Sequence, residues 1–318
     1  MKNKKWISLA TAVVLAVTAL PLGVFAAKKD EAKLAKVTLN EVAHSIFYAP
    51  QYVAIEEGYF KDEGLDMTLI TGFGADKTMT AVISGEADIG FMGAEASIYA
   101  YQEGATDPVV NFAQLTQRAG NFLVAREEMS DFKWEDLKGK KVLGGRKGGM
   151  PEMVFEYILK KNGIDPQKDL TIDQSIDFGS TAAAFTGDDS AAYTVEFEPS
   201  ATILEKEGGG YVVASLGEAS GYVPYTSYSA KVSYMEENPE IIQKFTNALQ
   251  KGMNYVQIHT PEEIAEVIAP QFKETDIETI TTIVKRYYDQ DTWKENLIFE
   301  KDSFELLQDI LEDAGELS

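Results

Sequence analysis

The stretch His44-Ser45-Ile46-Phe47-Tyr48-Ala49-Pro50 sets an imidazole, a hydroxyl and two aromatic rings directly ahead of a proline. The proline suits the first turn of a helix, where its missing N–H is not needed. Rings to stack on, with a few polar groups to orient a guest, suit non-covalent capture of a small molecule. Further along, Gly72-Phe73-Gly74-Ala75-Asp76 is a glycine-opened loop before a helix, whose backbone N–H groups can hold an anion or a carbonyl. Gly93-Ala94-Glu95 offers a carboxylate at the same kind of turn, and Glu198 stands likewise before Pro199. Gln114, Thr116, Gln117 and Arg118 end an expected strand, and one polar pair of that end is expected to face the ligand. Arg146 can bind a carboxylate or sulfonate through two parallel bonds, with Met150 as a neighbouring wall. Tyr225 and Tyr228 flank another extended stretch.

The candidate ligand-binding residues are therefore His44, Ser45, Phe47, Tyr48, Gly74, Gly93, Glu95, Gln114, Arg146, Met150, Glu198 and Tyr225. Each has a plainer reading. Phe47 and Tyr48 can pack as a hydrophobic staple. Ser45 can close a local turn. His44 can be a structural polar residue, Asp76 a helix cap, and Glu95 and Glu198 complements to helix dipoles. Arg146 can lie on the surface, Met150 in the core and the tyrosines in hinge packing.

Composition removes several chemistries. With no cysteine there is no disulfide, thiol nucleophile or cysteine-ligated metal. His44 and His259 are the only histidines, which excludes a multi-histidine metal site. No G-x-S-x-G elbow occurs. An acid/base enzyme using Glu95 and Glu198 stays open, and turnover of a bound ligand would establish it. The 318 residues, 45% hydrophobic, are ample for a core and suggest two lobes. The net charge of −22 becomes −25 without Lys2, Lys4 and Lys5, which argues against nucleic acid or anionic membrane as the main partner.

Those three lysines open a targeting segment. Trp6 to Leu20 is apolar, Pro21 breaks the run, and Val24-Phe25-Ala26 forms a cleavage signal, so residues 1–26 read as a signal peptide. An uncleaved anchor is the rival, because the run approaches spanning length. Residues 27–36 form a flexible lead-in.

From Val37 the pattern alternates. Strands are expected at Val37–Val42, Leu65–Thr71, Ala87–Phe91 and Val109–Leu115, with intervening helices at Pro50–Glu57, Asp76–Ser84 and Ala96–Glu103. This predicts βαβ units and a mostly parallel sheet. A second set follows, with strands at Phe122–Ala125, Val142–Gly144, Leu170–Asp173, Ala191–Val195 and Tyr211–Ser215, and a helix opened by Glu196 to Pro199. Phe122–Ala125 and Thr226–Ala230 read as strands that cross out of the first sheet and back. The remainder is helical, with capping boxes at Thr260–Glu263 and Thr275–Glu278, and the C-terminal helices are expected on the first lobe.

The span from His44 to Leu65, with its Ala54-Ile55-Glu56-Glu57-Gly58-Tyr59-Phe60-Lys61-Asp62-Glu63-Gly64-Leu65 phrase, resembles the opening motif of a family. That family is the ABC-importer substrate-binding proteins for nitrate, taurine, alkanesulfonates and thiamine precursors. Ser84-Gly85-Glu86-Ala87-Asp88-Ile89-Gly90 resembles its second hallmark, and Gly144 to Pro151 and Phe197-Glu198-Pro199 fall where its second lobe has binding loops. The resemblance implies an α/β, two-lobed periplasmic-binding-protein fold (type 2) with two crossings. Residues 37–121 and 226–318 would form lobe 1, and 122–225 lobe 2. It implies capture of a small nutrient for an ABC permease in the membrane, by an exported monomer that is not an enzyme and needs no cofactor. Enzymes on this fold use cysteine chemistry that the chain lacks. The lipobox cysteine usual in Gram-positive members is also missing from Leu22-Gly23-Val24-Phe25-Ala26-Ala27. The rings with Glu95 and Glu198 favour a thiamine-pyrimidine-like or riboflavin-like heteroaromatic; a sulfonate or nitrate is the alternative.

Overall fold

The computed structural model describes residues 33–177 and 179–317. The expected signal peptide lies outside the described residues. The first set of elements is β1 (Ala35–Glu41), α1 (Ala49–Glu56), α2 (Tyr59–Asp62), β2 (Leu65–Thr71), α3 (Ala75–Ser84), β3 (Ile89–Gly93), α4 (Glu95–Gln102) and β4 (Val109–Gln114). The second set is β5 (Asn121–Ala125), β6 (Lys141–Leu143), α5 (Met150–Lys161), β7 (Thr171–Asp173), α6 (Thr181–Gly187), β8 (Tyr193–Phe197), α7 (Ser200–Lys206), β9 (Tyr211–Ser215) and α8 (Leu216–Ser220). Then come β10 (Thr226–Lys231), α9 (Val232–Glu237), α10 (Pro239–Ile258), α11 (Pro261–Ile268), α12 (Ile277–Asp289) and α13 (Lys301–Ala314).

Two five-stranded sheets result, in the orders β2-β1-β3-β10-β4 and β7-β6-β8-β5-β9. In each, four strands point one way. The exception is the strand that follows a crossing: β10 pairs antiparallel with β3 and β4, and β5 with β8 and β9. The mostly parallel reading therefore holds for strand direction, with the two crossing strands reversed. Every residue of central β3 is buried, as helix-covered parallel strands require. On α10 the buried Phe245, Ala248, Leu249, Gly252, Met253 and Val256 recur at three- and four-residue steps, one stripe facing α1. Gly252 sets how close the two helices come, since a Cβ there would fall 2.2 Å from the Pro50 carbonyl oxygen.

The crossings run side by side. Leu115 N–H donates to the Thr226 carbonyl at 3.1 Å, Val223 N–H to Gln117 at 2.9 Å, and the hydroxyls of Thr116 and Thr226 meet at 2.5 Å. A third segment, unforeseen in the sequence, lies along them: Lys294 N–H donates to Leu115 and Gln117 N–H to Thr292, 3.0 and 2.9 Å.

Some local expectations change. The Thr260–Glu263 capping box forms. At α12, however, Asp276 caps the helix by accepting from Thr279 N–H, so no box is built on Thr275. Gly74, not Asp76, stands at the N-cap of α3, which puts Asp76 inside the first turn. Helix α13 packs on α5, beside the second sheet.

Candidate functional site

The carboxyl ends of β1, β3 and β8 and the turns after them enclose a cavity of about 190 Å³. Its walls come from both sheets, as the crevice beyond strand carboxyl ends in an α/β sheet leads one to expect. Eight of the expected residues line it: His44, Ser45, Tyr48, Gly74, Gly93, Arg146, Glu198 and Tyr225. Phe197, in the expected Phe197-Glu198-Pro199 binding loop, lines it too, as do Asn121, Thr181, Glu196 and Thr226, which were not among the candidate residues.

Four expected residues do not line it. Phe47 is wholly buried behind the wall, with ring centroids 5.1 to 5.9 Å from Tyr48, Tyr225, Tyr287 and Phe197. A Cβ at Gly120 would collide with its ring at 2.7 Å. Gln114 is buried beside the crossings, its amide donating to the Thr116 carbonyl. Met150 is buried at the start of α5, and its neighbours Gly149 and Pro151 supply the wall instead. Glu95 lies one layer back, its carboxyl pressed against the space a Gly93 Cβ would need.

Polar partners separate the lining residues into occupied and open. His44 meets two acceptors, Glu41 Oε1 at 2.7 Å and the Gln271 carbonyl at 3.0 Å. The Gln271 carbonyl can only accept, so Nε2 carries a hydrogen. The bond to Glu41 raises the His44 pKa. Ser45 Oγ donates to the Glu198 carbonyl at 3.1 Å, tying the turn before α1 to the end of β8. Tyr225 donates to Asn121 at 2.6 Å. Arg146, about half exposed, has its nearest acid in Asp76 at 3.8 Å. A pair so exposed adds little.

Glu198 is held by three donors. It accepts from Thr202 N–H and Oγ1, each at 2.9 Å, and from Arg286 Nη1 at 2.7 Å, while Arg286 Nη2 reaches Glu205 at 2.5 Å. Its role in this geometry is to tie α12 to β8 and α7. Arg286→Met leaves the buried Glu198 without a cation and is expected to cost about 2–3 kcal/mol; a fully buried pair would cost more, but Arg286 is partly exposed. The urea midpoint reads this, and an unchanged midpoint would show the pair to be energetically idle.

Glu95 and Glu196 are the open acids. Both are 2% exposed, and burial pushes each carboxyl up to about 7. Glu95 takes the Met150 N–H, while its Oε2 has no partner. Among the described residues Glu196 has only threonine partners, Thr181 and Thr194.

Two sheets joined by two crossings, with a cavity between strand ends of both, define the periplasmic-binding-protein fold. The family model described as NMT1/THI5 like matches residues 46–264, and the chain belongs to that family. It is 49% identical over 292 residues to the "Putative binding protein YtlA" of Bacillus subtilis, covering 92% of this chain and 87% of the relative. It is 24% identical over 231 residues to 4-amino-5-hydroxymethyl-2-methylpyrimidine phosphate synthase of Candida albicans, covering 69% of this chain and 66% of the synthase. Among solved structures, the alkanesulfonate-binding protein SsuA of Xanthomonas axonopodis pv. citri superposes with TM-score 0.72 at 15% identity, over 90% of this chain and 96% of that one. The nitrate-binding protein NrtA of Synechocystis PCC 6803 gives 0.65 at 16% identity, over 80% and 70%.

Proposed function

We propose that this chain is the extracytoplasmic binding protein of an ABC importer. In this reading it takes a small flat nitrogen heterocycle into the cavity and delivers it unchanged to a membrane permease. The observation that carries the ligand class is the wall itself: rings at Tyr48, Phe197 and Tyr225, with a buried acid, Glu196, that has no cation beside it. A carboxyl held out of water without a counter-charge favours a guest that brings N–H donors and disfavours an anion. A sulfonate or nitrate would find the half-exposed cation Arg146, a histidine already held by Glu41, and two buried acids. The cavity, about 190 Å³, is below the range of about 300–1,000 Å³ for drug-sized guests, which favours one ring of the thiamine-pyrimidine type over a riboflavin-like tricycle.

The moving bodies in this reading are residues 37–121 with 226–318, and 122–225, hinged where the crossings pair. Since α13 packs on α5, it has to slide there as the cleft opens. Export follows from the signal peptide read in residues 1–26, and among the described residues no helix is long and apolar enough to cross a membrane. An acid/base enzyme is the second class, which the 24% identical synthase of Candida albicans supports. Glu198, held by Arg286 and Thr202, is not free to act as one of the Glu95 and Glu198 pair read in the sequence.

A thermal-shift screen tests the proposal. At a hundred times its Kd, 4-amino-5-hydroxymethyl-2-methylpyrimidine, hereafter the aminopyrimidine, is expected to stabilise the protein by about 2.7 kcal/mol, or several degrees. Taurine, alkanesulfonates and nitrate are expected to leave the melt in place. Shifts from those anions alone would move the function to anion uptake.

A further inference from the structure

Glu196 has an unusual setting. It lies in β8 and lines the cavity, and Thr181, which also lines the cavity, donates to Oε2 at 3.0 Å. Thr194 donates to Oε1 at 2.5 Å. A carboxylate offers about four acceptor positions. The two hydroxyls occupy one on each oxygen, so each oxygen keeps an acceptor position. A carboxyl with an open position on each oxygen can meet a guest edge that carries an amino group beside a ring nitrogen.

Charges around it leave this edge uncompensated. Strand β5 brings no ionisable side chain, and neither does α6. Lys141 of β6 pairs with Asp173, and Glu205 and Lys206 of α7 pair with Arg286 and Asp276. Tyr193, on the same strand, donates to Met129 Sδ. Across the cavity, His44 is held by Glu41, Glu198 by Arg286, and Arg146 lies nearest Asp76. Tyr225 is spent on Asn121, and burial holds both Tyr48 and Tyr225 neutral. Glu95, behind Gly93, is a second buried acid, with Arg146 as the cation that acts on it.

We propose that Glu196 is the specificity residue of the cavity: it reads the amino-and-ring-nitrogen edge of a basic heterocycle, and the two partners share one proton. With the proton on the carboxyl, its O–H donates to the ring nitrogen and its other oxygen accepts the amino N–H. With the proton on the ring, both N–H groups donate to the carboxylate. Either way the bound pair holds one proton and no bond to carbon changes. The inference rests on the heterocycle-binding reading above and adds the group that selects within that class.

Above the point where Glu196 ionises, about pH 7, and where the free ring is neutral, the shared proton must come from solvent. Calorimetric titration of the aminopyrimidine at pH 8, in two buffers of different ionisation enthalpy, is therefore expected to show uptake of close to one proton per ligand. The affinity of the native chain should fall toward tenfold per pH unit above about pH 8. Glu196→Gln keeps the shape and both hydrogen-bond types, so it should still fold and bind, with no proton uptake and a flat pH profile. Binding by the native chain without proton uptake overturns this inference and leaves the heterocycle reading standing. Uptake that persists in Glu196→Gln and vanishes in Glu95→Gln also overturns it, by moving the role to Glu95. No binding of the aminopyrimidine at all overturns both.

Discussion

Replacing Phe47 by alanine is expected to destabilise the unliganded protein by about 3–5 kcal/mol, a drop in Tm of roughly 10 °C. The sequence places Phe47 beside Tyr48 in a decorated turn, where a ligand-facing ring would cost affinity and little stability. In the structure the ring is wholly buried and contacts Tyr48, Phe197, Tyr225 and Tyr287. Its carbonyl accepts the Trp293 indole N–H at 2.8 Å, which fixes the turn against the segment that lies along the two crossings. Gly120 leaves no slack on that side. Truncation opens a cavity at the junction of both sheets with α12, and the neighbours that would have to collapse into it are themselves packed rings. A melt within two degrees of the native one, paired with lost binding, would restore Phe47 to the ligand wall.

Raising the pH from 5 to 8 is expected to lower stability, by several kcal/mol in all. Burial, the largest cause in each case, holds the carboxyls of Glu95, Glu152 and Glu196 at about 7, about 8 and about 7, against an ordinary value of 4.5. Glu156 beside Glu152 adds to its rise. Below pH 4.5 all three are protonated in both states and contribute no slope. Between there and about pH 7 the unfolded chain gives up protons that the folded chain keeps. Stability then falls by about 1.4 kcal/mol per pH unit for each group, until the folded carboxyls ionise as well. His44 acts in the same direction: the stability from its bond to Glu41 is full below about pH 6.5 and is lost as pH rises through its raised folded value. Asp107, Asp173 and Asp276, held low by hydrogen bonds to neighbouring serine or threonine, lose their contribution only as pH falls below about 4, outside this window. Melting curves across the range read the slope. Glu95→Gln should flatten it by about a third, and a Tm that climbs from pH 5 to 8 would contradict the burial argument.

Much of the architecture is legible because local rules act locally. Alternating strands and helices, the Gly58 break after α1 and the Thr260 capping box all come from short-range patterns. So do the two crossing strands, although the sequence does not show that they insert antiparallel. The site is less legible, because distant segments decide it. Whether Phe47 faces a ligand depends on Tyr287 and Trp293, some 240 residues away. Glu198 looks like a free acid until Arg286 arrives from α12.

The role of Glu196 was within reach. Tyr193-Thr194-Val195-Glu196-Phe197 alternates, and period two puts Thr194 and Glu196 on one face. Reading Glu196 as the opening of a helix hid that pattern, whereas the strand runs on to Phe197. Asp76 and Thr275 mislead for a related reason. A capping residue one or two positions off still looks correct in sequence, and only backbone geometry selects Gly74 and Asp276.

The central claim is that the cavity binds an uncharged or cationic ring and releases it intact. Calorimetric titration of the mature chain with the aminopyrimidine at pH 7, followed by mass analysis of the recovered compound, tests it most directly. The predicted result is one saturable site per chain, undisturbed by excess nitrate or alkanesulfonate, with the compound recovered unchanged. No heat with the aminopyrimidine and a saturable site for the anions, or a chemically altered product, would contradict it.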